Sequence, residues 1–272
     1  MTTARRPVES GGGPRVLALA TSTDWCSVAL AWRDATGDRG AFAADRVGND
    51  HSRALLPMAA ALMREAGLTW SDVDVFAFDA GPGSFTSLRI GCGAVQGLAF
   101  ATGRPVVAVS SLQALARQAG SGSVIAVLDA RMNEVYAAPM RLGEDAAGVA
   151  AGACIPEATQ PIRAIPVGEA GDVLEAWVRE ARSAGEAPVA IGDAFARHPA
   201  LGSRMRSIGV GVDPTAYPRA DAIAAIALAR HARGQAVDPR DAAPLYVRDK
   251  VALDVDEQRR AREARRPAQA SS

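Results

Sequence analysis

The sequence is poor in the residues that mark specialised chemistry. It has three cysteines, Cys26, Cys92 and Cys154, at no short spacing. The missing Cys-x-x-Cys pattern excludes a zinc ribbon or a thioredoxin-type motif and leaves buried free thiols in a reducing cytoplasm as the expectation. Its three histidines, His51, His198 and His231, form no His-x-x-x-His pair, so no zinc signature is present. Charge of one sign is also lacking. Lys+Arg 30 balances Asp+Glu 30, and a formal net charge of zero supplies no global field toward nucleic acid. The N-terminal segment carries no apolar run of signal-peptide length. The most apolar helix contains Arg89 and Gln96 and falls short of the ~20 residues of a membrane span. A soluble, cytoplasmic protein without membrane contact is therefore expected.

What is present is a packed core. The 272 residues are 49% hydrophobic and 22% charged, enough for two domains or one large one. Residues 1–14 read as a disordered arm. Arg15–Ala20 reads as a buried strand, Thr21–Asp24 as a polar turn, and Trp25–Trp32 and Arg39–Asp45 as a hairpin. A helix starts near Asn49–Ser52, with Leu55, Leu56, Ala59, Leu62, Met63 and Ala66 on its apolar face. Pro57 predicts a kink or a late start there. Pro105–Val109 is a further strand, and Ser110 or Ser111 caps a helix to about Ala119. Helices between later strands imply a mixed sheet covered on both faces.

Gly120–Gly122 reads as a junction between a lobe over 15–120 and a second over 121–256. In the second, Val124–Ala130, the turn Arg131–Asn133 and Glu134–Pro139 repeat the opening strand–turn–strand pattern. Ala170–Ala184 reads as a helix, Val189–Gly192 as a strand and Ser207–Gly211 as an edge element. Ala220–Gly234 is a strong helix that can pack back on the first lobe. Leu245–Val247 is extended, and 257–272 is an arginine-rich, disordered tail.

The chain is organised around Val73–Ala101: a buried strand, the break Gly81-Pro82-Gly83, and a helix from Ser84. Gly91, Gly93 and Gly97 lie inside that helix, each costing about 1 kcal/mol relative to alanine. Gly93, Gly97 and Ala101 are four apart and form a small-residue stripe. The stripe suits close approach of a second helix. The glycine turn lacks the third glycine of a dinucleotide fingerprint and has no Walker lysine, so it reads as structural. Ser84 misses the G-x-S-x-G spacing of a nucleophile elbow and reads as a cap or packing hydroxyl. Asp79, Asp129, Asp193 and Asp213 sit at strand ends or turns, where they either cap or hold magnesium. Arg131 and Glu134 either brace their turn or reach a cleft.

Five motifs then occur in a fixed order: LALATSTDWCSVAL, His51-Ser52 with Leu55-Leu56-Pro57, DAGPGSFTSLRIGCGAVQGLAF, VVAVSSLQALA and LDARMNEVYAA, followed by PLYVRDKVA. Together they resemble the TsaB (YeaZ) family over about residues 15–252. The resemblance implies an α/β, actin-like fold of the sugar kinase and Hsp70 type, with two related lobes whose mixed sheets are flanked by helices. It implies a noncatalytic partner of TsaD, acting with TsaE. That complex transfers threonylcarbamoyl from threonylcarbamoyl-AMP to adenosine in the anticodon loop of ANN-decoding tRNAs.

The family's partner or self-dimer surface maps to Ser52–Ala66 and Thr86–Ala101, with Leu55, Leu62, Met63, Leu88, Arg89, Gly93, Gly97 and Ala101 as contact residues. Gly81, Pro82, Gly83 and Ser84 set the helix angle. No catalytic residue and no metal ligand is implied, and contact with tRNA is indirect. ATP or ADP with magnesium is implied only in the complex with TsaD and TsaE; Thr21, Ser22 and Arg131 are the candidates to touch it. Family members usually carry aspartate where this chain has Ala20, which argues against metal-assisted ATP hydrolysis by the isolated protein. The competing reading is an ATPase or kinase-like enzyme of the actin-like superfamily.

Overall fold

The computed structural model describes residues 13–34, 37–120, 122–143 and 155–247. Most of the N-terminal arm, Cys154 and the basic tail lie outside the described residues. The first sheet begins with β1 (Val16–Ala20), which is buried on both faces. β2 (Trp25–Asp34) and β3 (Gly37–Arg46) form an antiparallel hairpin beside it. α1 (His51–Glu65), β4 (Val75–Gly81), α2 (Phe85–Thr102), β5 (Val106–Ser110) and the short α3 (Ser111–Ala116) follow. The strand order is β3-β2-β1-β4-β5, with β4 parallel to both β1 and β5. Parallel neighbours need a crossover helix, and α2 supplies it between β4 and β5.

The strand period sorts side chains to two faces. Leu17, Leu19, Phe76 and Phe78 meet Leu55, Leu62, Cys92 and Val95 from α1 and α2. Pro57 lies inside α1 without ending it. Pro57 and Arg53, four residues earlier, are both exposed, so the backbone acceptor freed there is not buried. α2 ends on Gly103 at φ 66°, a left-handed cap.

The second sheet holds β6 (Gly122–Asp129), β7 (Glu134–Leu142), β8 (Glu157–Ala158) and β9 (Arg163–Pro166). α4 (Val167–Ser183), β10 (Val189–Ile191), α5 (Ala194–Arg197), α6 (Pro199–Ser207) and β11 (Gly211–Asp213) complete it. Its order is β11-β10-β6-β7-β8, and β9 also pairs with β7. Finally α7 (Ala220–Ala232) returns to the first sheet. Ile223, Ile226 and Ala227 pack there against Val16, Ala18, Val75, Ala77 and Val107.

One expected element is corrected. Ser207–Gly211 is not an edge strand: α6 ends at Ser207, and the strand lies at Gly211–Asp213. Pro199 occupies the first helical turn, where its missing N–H costs nothing, and Leu201 and Met205 bury one face.

Candidate functional site

The two loops at the ends of β1 and β4 are built as one unit. Asp79 is fully buried at the end of β4. Its carboxylate accepts the Thr21 N–H at 3.0 and 3.1 Å and the Ser22 N–H at 2.8 Å. Burial drives its pKa up to about 6, against the pull of those donors. Ser84 N–H donates to the Ser22 carbonyl at 2.8 Å. A Cβ on Gly83 would stand 2.5 Å from that same oxygen, so only glycine fits. Gly91 has a similar reason, since a Cβ there would stand 2.6 Å from Thr21 Oγ1. That hydroxyl donates to the Ser87 carbonyl at 2.8 Å. The Thr21 hydroxyl thus braces α2.

Ser84 makes no side-chain cap. Its hydroxyl lies 3.0 Å from Ser87 Oγ, which lies 3.4 Å from His51 Nδ1. His51 is fully buried and its Nε2 sits 3.2 Å from the Trp25 carbonyl. The packing reading of Ser84 fits this chain of contacts.

Above the loops is a cleft of about 230 Å³, lined by Ser22, Asp24, Ser84, Asp129, Arg131 and Tyr246 among others. The β6–β7 turn puts Arg131, Met132 and Asn133 at φ 60°, 51° and 59°, a left-handed run that is costly for side-chain-bearing residues. It brings Arg131 to 2.9 Å from Asp24 Oδ1 and 3.5 Å from Asp129 Oδ2. Arg197, the last residue of α5, reaches Asp24 Oδ2 at 2.6 Å and Asp129 Oδ2 at 3.3 Å. Two acids and two guanidiniums thus close a ring. His198 Nε2 lies 3.4 Å from Asp129 Oδ1, and Arg46 lies 3.6 Å from Asp24.

Partial burial would raise Asp24, but Arg197, Arg131 and Arg46 together outweigh it and hold its carboxyl below the usual range. Asp193 accepts the Asp129 N–H at 3.0 Å, and burial pushes its pKa up to about 6. Asp213, the fourth strand-end acid, is spent on the Thr215 N–H at 2.9 Å.

These residues do not fit a magnesium nucleotide in the isolated chain. Of the facing acids, Asp129 is held by two arginines and Asp24 by three. Ala20 offers only a buried methyl group. No group of three His, Cys, Asp or Glu side chains suited to a metal exists among the described residues. The cleft is smaller than the ~300–1,000 Å³ of ordinary small-molecule pockets.

The second feature is the outer face of α1 and α2. Leu55, Leu62, Met63 and Leu88 were expected on it and are instead buried in the chain's own interior, at 1%, 4%, 3% and 2% exposure. The first three pack against the sheet strands, because the helix face that meets the sheet is the most apolar one. Arg89, Gly93, Gly97 and Ala101 do face outward. A Cβ on Gly93 or Gly97 would meet nothing within 4 Å. The exposed large apolar side chains of the two helices are Leu56 on α1 and Phe85 and Phe100 on α2, the last 54% exposed.

Arg89 lies 3.9 Å over the Phe85 ring and donates from Nε to the Tyr246 hydroxyl at 3.1 Å. The segment carrying Tyr246 is tied down by Leu245 N–H to the Ala80 carbonyl and by Gln96 to the Pro239 and Ala242 carbonyls. Sequence reasoning missed Phe85, Tyr246, Asp24 and Arg197. Only Asp24 carried a local signal, at the end of the Thr-Ser-Thr turn.

Fold and site together define a two-sheet α/β protein with an ion-paired cleft and an open glycine-striped helix. The family model described as TsaD, tRNA N6-adenosine threonylcarbamoyltransferase, matches residues 40–196, more than half of the chain. Two solved structures from Pseudomonas aeruginosa resemble the chain over their full or nearly full length. One, described as similar to peptidase YeaZ, is 33% identical with TM-score 0.70, covering 86% of this chain and 100% of that one. The other, YeaZ, is 32% identical with TM-score 0.66, covering 86% and 99%. The tRNA threonylcarbamoyladenosine biosynthesis protein TsaB of Haemophilus influenzae is 43% identical over 44% of this chain and 51% of its own length. That of Escherichia coli is 39% identical over 48% and 57%. The chain thus spans about half the length of the curated relatives it matches. It belongs to the TsaB (YeaZ) family, which is homologous to the TsaD family.

Proposed function

We propose that the chain is a noncatalytic subunit in tRNA threonylcarbamoyladenosine biosynthesis, docking on TsaD and acting with TsaE. The observation that carries this reading is the open stripe Gly93, Gly97 and Ala101 beside Leu56, Phe85 and Phe100. Inside a helix, exposed glycine costs about 1 kcal/mol over alanine, and among the described residues no close approach to Gly93 or Gly97 offsets it. A partner helix that must approach closely gives that stripe a use. The family relationship supports TsaD as the partner, and on this reading a second copy is the substitute when TsaD is absent.

On this reading the two sheets are the two lobes of an actin-like fold, over about 15–120 and 121–256, with α7 returning to the first. Any ATP or ADP with magnesium belongs to the assembled complex, in the cytoplasm, and tRNA is touched only through the complex. The test is co-purification with TsaD and reconstituted tRNA modification using the Gly97→Arg variant. The variant should fold normally, fail to bind TsaD and fail to support modification. Undiminished affinity for TsaD in that variant would defeat the reading.

A further inference from the structure

The cleft contains more charge than its architecture requires. Asp24 ends the β1–β2 turn of the first sheet. Arg131 belongs to the β6–β7 turn, and Arg197 ends α5 behind β10; both serve the second sheet. Their four short contacts run Asp24–Arg131 at 2.9 Å, Arg131–Asp129 at 3.5 Å, Asp129–Arg197 at 3.3 Å and Arg197–Asp24 at 2.6 Å. Within the ring each carboxylate meets both guanidiniums and each guanidinium meets both carboxylates, and Arg46 adds a third guanidinium 3.6 Å from Asp24. Each arginine bridges the two carboxylates, and its contact to Asp24, at 2.9 Å for Arg131 and 2.6 Å for Arg197, is a charge-assisted hydrogen bond.

One of the two arginines is placed at a conformational cost. Arg131 sits in the left-handed run. α5 follows Gly192 at φ 137°, where a Cβ would lie 1.9 Å from the Val127 carbonyl oxygen, so that turn admits no side chain. A bracing role within the second sheet would need only Asp129. Asp24 has no such need for distant arginines, since Asp79 already fixes its turn through Thr21 and Ser22.

We propose that Asp24, Arg131, Asp129 and Arg197 form an ion-pair latch that clasps the two sheets across the cleft, filling with side chains the place where a bound nucleotide and metal would otherwise bridge them. The latch concerns the isolated chain and stands apart from the partner reading. It accounts for a protein that keeps a cleft yet has Ala20 where an acid would hold a metal. Closure is then set by the chain itself, and nucleotide does not drive it.

The test uses the full chain without TsaD, by hydrogen–deuterium exchange and by calorimetric titration with Mg-ATP. Wild type should show no saturable heat up to about 1 mM Mg-ATP. Arg131→Gln and Asp24→Asn should each speed exchange in residues 23–24 and 131–134 by about fivefold or more, with α4 and its core unchanged. Should Asp24→Asn fail to fold, Arg131→Gln still decides, because its side chain is 57% exposed and its loss leaves no cavity. Exchange equal to wild type in the folded variants overturns the latch. So does saturable Mg-ATP binding below 1 mM by wild type.

Discussion

The Ser22 carbonyl oxygen accepts the Ser84 N–H at 2.8 Å while lying 2.5 Å from the place a Cβ on Gly83 would occupy. The turn after β4 and the turn after β1 therefore touch backbone to backbone, with Asp79 tying the second from below. Gly83→Ala must push this contact apart, since the opposing atoms are main chain and cannot swing away. We expect a loss of about 2–3 kcal/mol in urea unfolding. Gly93→Ala is the matched control. It meets open space on the same helix and should gain about 0.5–1 kcal/mol. Equal effects of the two substitutions would show that the close approach does not govern the turn.

The inward and outward sides of α1 make separable predictions. Leu62 is 4% exposed against the sheet, whereas Leu56 is 46% exposed. Leu62→Ala should cost about 2–4 kcal/mol in stability by leaving a cavity. Leu56→Ala should change stability by less than about 0.5 kcal/mol and weaken TsaD binding several-fold. Calorimetric binding beside thermal melts separates the two. A Leu56→Ala variant that binds TsaD like wild type would remove α1 from the docking surface.

Legibility from sequence followed the range of the interactions. The strand–turn–helix at Val75–Thr102 was readable because a buried run, a glycine turn and a helix are all local signals. The three helix glycines looked alike in sequence, yet Gly91 exists for Thr21 and the other two for open space. Apolar periodicity marked Leu55 and Leu62 but cannot tell a face that meets its own sheet from one that meets a partner. The ring around Asp24 was invisible because Arg197 lies 173 residues away. α6 escaped because Gly202, Ser203, Arg204 and Arg206 blur its apolar face.

The cleft also predicts a pH dependence. Asp193 has its pKa raised to about 6, first by burial and then by neighbouring Asp129 and Asp24, against the Asp129 N–H and Arg197. For a raised acid, the favoured native form is the protonated one. Its stabilising contribution is complete below the ordinary value of 3.8 and is lost as pH rises through about 6. Asp193→Asn keeps the acceptor for the Asp129 N–H and stays neutral. The variant should therefore exceed wild type in stability at pH 7.5, by roughly 1–3 kcal/mol, and the gap should close by about pH 4. Asp24, with its lowered pKa, works in the opposite direction: its contribution is lost as pH falls through the depressed value, in both proteins alike. Subtracting the two urea-melt profiles removes that shared part. A gap that is constant with pH, or that widens toward acid, would mean that Asp193 is not held as a strained buried carboxylate.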